Sequence, residues 1–132
     1  MKIRQGFVSN SSSSSFILSS KEDVPTIEIK IPVNKLSCYI KINTKEELQK
    51  EFLKNYTDIE YIMKDKKCNF EKAIKINNKY IESLYNDSLN EINDGKIIYM
   101  FEASNEYSDP YSNLIYEYSI PESNKYKIIK NG

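Results

Sequence analysis

Residues 26–56 read TIEIKIPVNKLSCYIKINTKEELQKEFLKNY, and the change of hydrophobic period within this stretch decides the fold class. Over residues 26–33, apolar side chains alternate with polar residues or proline, which is the period-2 pattern of a half-buried strand. Residues 38–42 alternate in the same way, so the two segments are predicted to form an antiparallel hairpin. Because Pro32 has no N–H to donate to a ladder, the first strand is expected either to lie at a sheet edge or to end at Pro32. An exposed edge at this position is open to pairing with another chain.

The period then changes to that of a helix. Thr44 and Glu47 have the spacing of a capping box, in which the Thr side chain caps the helix and the Glu side chain reaches back. This first helix is predicted to end near Tyr56. A second helix is predicted over residues 58–66 and a third over residues 70–89, where apolar residues form a stripe at helical spacing.

After an Asp-Gly turn signal that ends at Gly95, the pattern again favours strands. Strands are predicted over residues 97–103 and 114–120, joined by a loop over residues 104–113. A last short strand is predicted over residues 126–130. The order of strands, helices and strands predicts an α+β fold, with an antiparallel sheet of about four to six strands and two or three helices packed on one face.

The length of 132 residues predicts a single α+β domain over residues 1–132, with residues 1–20 as a Ser-rich N-terminal head. Lys plus Arg and Asp plus Glu number 19 each, so the formal net charge is zero. No overall field therefore attracts nucleic acid, and direct nucleic-acid binding is not expected.

The cellular compartment is predicted from the N-terminal sequence and from the number of cysteines. No apolar run follows the charged N-terminus, and no run approaches the ~20 residues that span a bilayer, so neither export nor membrane insertion is expected. Cys38 and Cys68 are too few for a disulfide scaffold, and both are interpreted as structural thiols, Cys38 on the apolar phase of its strand. The predicted location is the cytoplasm, that of the host cell if the protein is encoded by a phage.

Catalysis is disfavoured because the chain has no His, the side chain best suited to proton transfer near neutral pH. A zinc site would need two Cys thiolates plus carboxylates, which is an unusual ligand set. Pairs of carboxylates are present, but solvated helix and strand faces explain them more simply. The sequence therefore predicts no enzyme activity, no catalytic residue, no metal and no cofactor.

The Ser-rich head has three interpretations. Its hydroxyls bond to nearby backbone in a tight structural loop, or it is a flexible linker, or it is an anion-binding or modified loop in which N–H groups, hydroxyls and Arg4 hold a phosphate. The residues of this candidate loop are Arg4, Gly6, Asn10, Ser11, Ser12, Ser13, Ser14 and Ser15.

Residues 4–17, RQGFVSNSSSSSFI, resemble the N-terminal signature R-x-G-F-V-S-N-S-S-S-S-S-F of assorted small proteins of bacteria and their phages. The resemblance covers only about the first eighteen residues, and the signature brings no catalytic residue with it. What it implies is a phage or mobile-element setting. Small proteins from such settings often inhibit host defence, and anti-CRISPR proteins are among them.

Tyrosine is the other distinctive residue type, with 11 copies and no Trp, and Tyr is enriched at protein interfaces. In the predicted loop, a type I turn at Asp109 brings Glu106, Tyr107 and Tyr111 together near the tip. These four residues are the predicted partner-binding site, although an ordinary hairpin loop also explains them.

The predicted function is stoichiometric inhibition of a host defence complex, in the manner of an anti-CRISPR protein. The predicted partner is a host protein or ribonucleoprotein complex. The alternative is a regulatory or nucleotide- and phosphate-binding protein that acts through its Ser-rich loop. The sequence leaves the oligomeric state open.

Overall fold

The computed structural model describes residues 15–104, 106 and 109–132. The chain divides into two units, Met1–Lys30 and Ile31–Gly132. The described part of the first unit contains no helix or strand. The second unit, here called the body, contains all the elements given below.

The body is mainly helical. After a 3-10 turn at Val33–Lys35, its elements in chain order are β1 (Cys38–Ile42), α1 (Lys45–Asn55), α2 (Thr57–Lys66), α3 (Phe70–Asn77), α4 (Lys79–Asn93), β2 (Ile98–Glu102) and α5 (Pro110–Tyr118). The predicted sheet of four to six strands is therefore wrong: the described residues form five α-helices and one two-stranded antiparallel sheet.

The sheet pairs β1 with β2, not with the segment that precedes it. Cys38 lies opposite Glu102 and Ile42 opposite Ile98, so helices α1 to α4 lie between the paired strands in sequence, and α5 follows β2. Both strands were predicted, but the hairpin of β1 with residues 26–33 was wrong. Alternation identifies a side-chain pattern that fits a half-buried strand, and it does not identify which strand is the neighbour.

The first two predicted helices are confirmed as α1 and α2. At the start of α1, Glu47 N–H donates to Thr44 Oγ1 (3.2 Å), as the capping motif predicts. The Thr44 hydroxyl also lies 3.1 Å from Glu47 Oε1. Helix α2 ends at Lys67, which adopts the left-handed conformation (φ 50°) that commonly ends a helix.

The single helix predicted over residues 70–89 is two helices, because the chain is extended at Asn78 (φ −164°). The Asn78 side chain accepts hydrogen bonds from Tyr80 N–H (2.7 Å) and Ile81 N–H (3.3 Å). Asn competes with helical backbone bonding and favours caps, which explains why the helix restarts here.

Two strands predicted near the C-terminus are also wrong. Most of residues 114–120 belongs to α5, which begins with Asp109 as its cap and Pro110 at its first position, a combination typical of a helix start. Residues 126–130 contain two bends instead of a strand. Nearby, the Asn131 side chain bonds to both the N–H and the C=O of Ile120 (3.1 and 2.9 Å).

The core lies among helices α1 to α4 and one face of the sheet. Its buried apolar residues are Ile42, Leu48, Phe52, Ile59, Phe70, Ala73, Ile74, Ile81, Leu84, Tyr85 and Ile98. The phenol of Tyr85 is satisfied by the Gln49 side-chain amide (3.0 Å), as a buried hydroxyl requires. Gln49 also bonds to Glu71, which forms an ion pair with Lys45 (3.0 Å) and joins α1 to α3.

Helix length and polarity also bear on membranes. Within the described ranges, no helix has both the length and the apolar content needed to cross a bilayer.

Candidate protein-binding surface

Asp109 connects the start of α5 to the start of β1. Its Oδ1 accepts a hydrogen bond from Ser112 N–H (2.7 Å), and its Oδ2 accepts from the Ser112 hydroxyl (2.6 Å). The N–H of Ser37 (3.2 Å) and the Ser37 hydroxyl donate to the same Oδ2. These bonds, those from Ser112 first and then those from Ser37, lower the pKa of Asp109 from 3.8 to about 2. The Asp109 carboxylate is therefore held by its own chain.

The structure does not place the other predicted site residues together at the tip of a hairpin loop. Tyr111 is half-buried in the first turn of α5, and Glu106 is exposed, with its N–H bonded to Ser104 Oγ (3.1 Å). Tyr107 lies outside the described residues. The predicted type I turn is a helix start instead, so Asp109 and Tyr111 belong to one helix. That these four residues bind a partner stays a prediction.

The face of the sheet away from the core carries a row of aromatic residues. Tyr39 lies opposite Phe101 and Lys41 lies opposite Tyr99 in the ladder. The rings of Tyr39 and Tyr99 stack across the diagonal, with centroids 6.2 Å apart and planes inclined by 19°. These four residues are called the outer sheet face. Tyr99 is 45% exposed, and its alternate neighbours Ile98 and Met100 pack on the core side.

An open depression of about 370 Å³ lies beside this face. It is lined by Val33, Asn34, Tyr39, Lys41 and Tyr99. Its walls combine two tyrosine rings and one valine with one ammonium group and one side-chain amide. Such a lining is suited to a side chain with an apolar body and a polar tip, because the rings provide contact area and the polar groups fix orientation.

Helix α5 adds further exposed aromatic surface. Tyr116 is 54% exposed and Tyr118 is 81% exposed. The helix ends at Ser119, where φ is 62°. Its start is fixed by the Asp109 hydrogen bonds, so the aromatic side chains of α5 are carried by an element that is tied to β1.

The outer sheet face was not singled out from the sequence. The available signal was phase: Tyr39 and Lys41 alternate with Ile40 and Ile42, so both point away from the core. The stack of Tyr39 on Tyr99 depends on the β1–β2 register, which no local pattern contains.

Three further features are relevant to small ligands: possible metal-binding groups, a second surface depression and the two cysteines. Among the described residues, no group of three or more His, Cys, Asp or Glu side chains is arranged to hold a metal ion. A second open depression, of about 430 Å³, is lined by Glu122, Ser123, Tyr126, Ile128 and Asn131 and so contains one carboxylate. Cys38, predicted to face the core, is exposed at the first position of β1, and Cys68 is half-buried between α2 and α3.

The Ser-rich loop is the remaining candidate. Of its eight residues, Arg4, Gly6, Asn10 and Ser11 to Ser14 lie outside the described residues, and only Ser15 is described. Phosphate binding or modification of this loop stays a prediction.

No family model matches this chain, and comparison with curated proteins and with solved structures finds no match.

Proposed function

We propose that this chain acts by binding another protein, as a small phage-type accessory protein that inhibits a host defence complex stoichiometrically in the host cytoplasm. The observation that carries the proposal is the outer sheet face, where two stacked tyrosines lie beside a lysine on a paired ladder. The phage setting comes from the resemblance of residues 4–17 to the signature described above.

Stacked tyrosines are well suited to provide binding energy at a protein interface. Each ring offers a large amphipathic contact area and has few rotatable bonds, so little conformational entropy is lost when it is ordered at an interface. Contact between Tyr39 and Tyr99 already restrains both rings, which lowers the ordering cost further. Aromatic residues of this kind commonly dominate the energy of an interface.

The same surface supports the proposed stoichiometric mode of inhibition. Tyr39, Tyr99 and Lys41 provide apolar contact, hydroxyls and one positive charge, which are means of recognition that need no chemical step. An inhibitor that works in this way is consumed one molecule per target, so its effect depends on molar ratio. The predicted residues Glu106, Tyr107, Asp109 and Tyr111 form a second candidate contact region.

The test is inhibition of a defined CRISPR–Cas complex by the purified chain, with cleavage of target DNA as the readout. For Y39S/Y99S, we expect roughly thirtyfold or greater loss of inhibitory potency, because two central aromatic anchors are removed. The matched control is Y61S/Y80S, two tyrosines on α2 and α4 that are 69% and 56% exposed and lie away from the sheet. This control should inhibit like the unmodified chain.

Two further results decide the interpretation. Titration of the complex should reach full inhibition near equimolar chain. Inhibition at far lower molar ratios would indicate turnover and contradict the stoichiometric mode. Equal potency of Y39S/Y99S and the unmodified chain, with circular dichroism unchanged, would remove the outer sheet face as the binding site.

A further inference from the structure

Residues 26–31, here called the donor segment, have the side-chain pattern of a strand but form no strand in the structure. Ile27 and Ile29 are 71% and 60% exposed, on the alternate positions that a sheet would bury. Among the described residues, the donor segment belongs to no ladder. An exposed row of β-branched residues with open backbone groups is a template for pairing with another chain.

The body offers an edge for such pairing. The sheet of the described residues has two strands, and neither β1 nor β2 pairs with a third. A two-stranded ribbon is only marginally stable by itself, and an added strand extends both its ladder and its apolar face. Strand addition to an open edge is a common mode of recognition because main-chain hydrogen bonds provide affinity independently of most side chains.

One antiparallel register matches the donor segment to β1 on both faces. When Ile29 lies opposite Ile40, Ile27 lies opposite Ile42, and the apolar rows coincide on the core side. The same register places Glu28 opposite Lys41 on the other face, and opposite charges at directly facing positions stabilise a pair of strands.

Charge also distinguishes the two edges. Strand β2, with the sequence IYMFE, contains no basic residue to pair with Glu28. A single-residue slip on β1 would place the apolar row of the donor segment on the face of Lys41. A two-residue slip would keep the apolar rows together but would place Lys30 or Thr26, instead of Glu28, opposite Lys41. The match of apolar and charged rows therefore selects one edge and one register.

We propose that the donor segment of one copy of this chain pairs antiparallel with β1 of a second copy, and that the reverse pairing forms at the same time in a two-fold symmetric dimer. Glu28 of each copy then faces Lys41 of the other. The arrangement is isologous, which is the commonest symmetry of a homodimer. Each copy both gives and receives a strand. The inference is independent of the inhibitory function proposed above.

The experiment is a charge reversal in trans, measured by sedimentation equilibrium of the full chain over two decades of concentration. The unmodified chain should show a monomer–dimer equilibrium. E28K and K41E should each weaken dimerisation by roughly three- to thirtyfold, because two symmetry-related pairs become like-charged. An equimolar mixture of E28K with K41E should recover the dimer as a heterodimer, since both of its pairs are again of opposite charge.

The mixture separates pairing between copies from pairing within one chain. Recovery in the single-chain variant E28K/K41E, without recovery in the mixture of single variants, would place the pair inside one chain and overturn the proposal. An unmodified chain that stays monomeric at every concentration would overturn it as well. I29K provides an independent arm: a charge in the shared apolar row should abolish the dimer while the circular dichroism of the body is kept.

Discussion

At Asp109, one carboxylate joins two elements that lie far apart in sequence. It caps α5 through Ser112 and receives both hydrogen-bond donors of Ser37, 72 residues earlier. Ionised carboxylates make stronger hydrogen bonds than neutral acceptors, which accounts for the lowered pKa of Asp109. Asp109 therefore has a structural role that the loop hypothesis did not include.

Asp109→Asn should lower the melting temperature by a few degrees at neutral pH. The amide keeps one acceptor oxygen but turns an NH2 group toward donors of Ser37 or Ser112. Because the folded-state pKa is lower than the ordinary one, the charge of Asp109 stabilises the fold above pH 3.8, and this contribution is lost as the pH falls through about 2.

Thermal denaturation of both proteins between neutral pH and pH 2 measures this contribution. The difference in melting temperature between them should be constant above pH 4 and should shrink below it. Asp23→Asn is the control, since Asp23 is exposed and the structure gives it no hydrogen bond to another described residue. A difference that does not change with pH would contradict the ionised-acceptor role.

At the scale of elements, the break at Asn78 separates α3 from α4 and gives each helix its own direction. Asn78→Ala should destabilise the body by about 1 kcal/mol, because the N–H groups of Tyr80 and Ile81, which donate to the Asn78 side chain, would lose their partner. The matched control is Asn86→Ala, an exposed position inside α4, where Ala is the better helix former.

Urea denaturation followed by circular dichroism measures both variants. We expect the transition midpoint to fall for Asn78→Ala and to stay or rise for Asn86→Ala. If the two changes are equal, the capping account of the break is wrong, and the helices are separated by packing instead.

The elements that were predictable from the sequence are those with local signals. The Thr44 cap and the apolar stripes of α3 and α4 lie within a few residues of the elements they define. The start of α5 also had its signal, Asp109 before Pro110, but the alternating residues after it favoured a strand. The Asp109 cap and Pro110 at the first helical position agree with the helix that forms.

The pairing of the strands and the outer sheet face were harder to predict from the sequence. The partner of β1 is β2, beyond four helices, while a nearer segment had the better strand pattern. The Tyr39–Tyr99 stack follows from the β1–β2 register. It could not be predicted once β1 was paired with residues 26–33. Sequence periodicity describes which side of an element is apolar, and long-range register needs the whole fold.

For the whole molecule, stability depends on the core that α1 to α4 share with the sheet. Ile74→Ala should cost about 2–5 kcal/mol, because Ile74 is 2% exposed and its loss leaves a cavity among helices. Ile76→Ala on the same helix should cost less than about 1 kcal/mol, since that side chain is 48% exposed.

Guanidinium unfolding of the two variants provides the comparison, and their shared helix controls for helix propensity. The difference between them should appear in the midpoint of the transition and not in its slope. Equal destabilisation would mean that Ile76 is also covered in solution, for instance by association of the chain.

The nesting of the helices between β1 and β2 has a kinetic consequence. The two strands can meet only after the intervening chain has been compacted, since closing a long unstructured loop costs more entropy than closing a short one. We therefore expect the local contacts of the helices to form first and the ladder to close late in folding. In native-state amide exchange, opening of the β1–β2 sheet would then precede global unfolding. The outer sheet face would be lost while the helices remain folded.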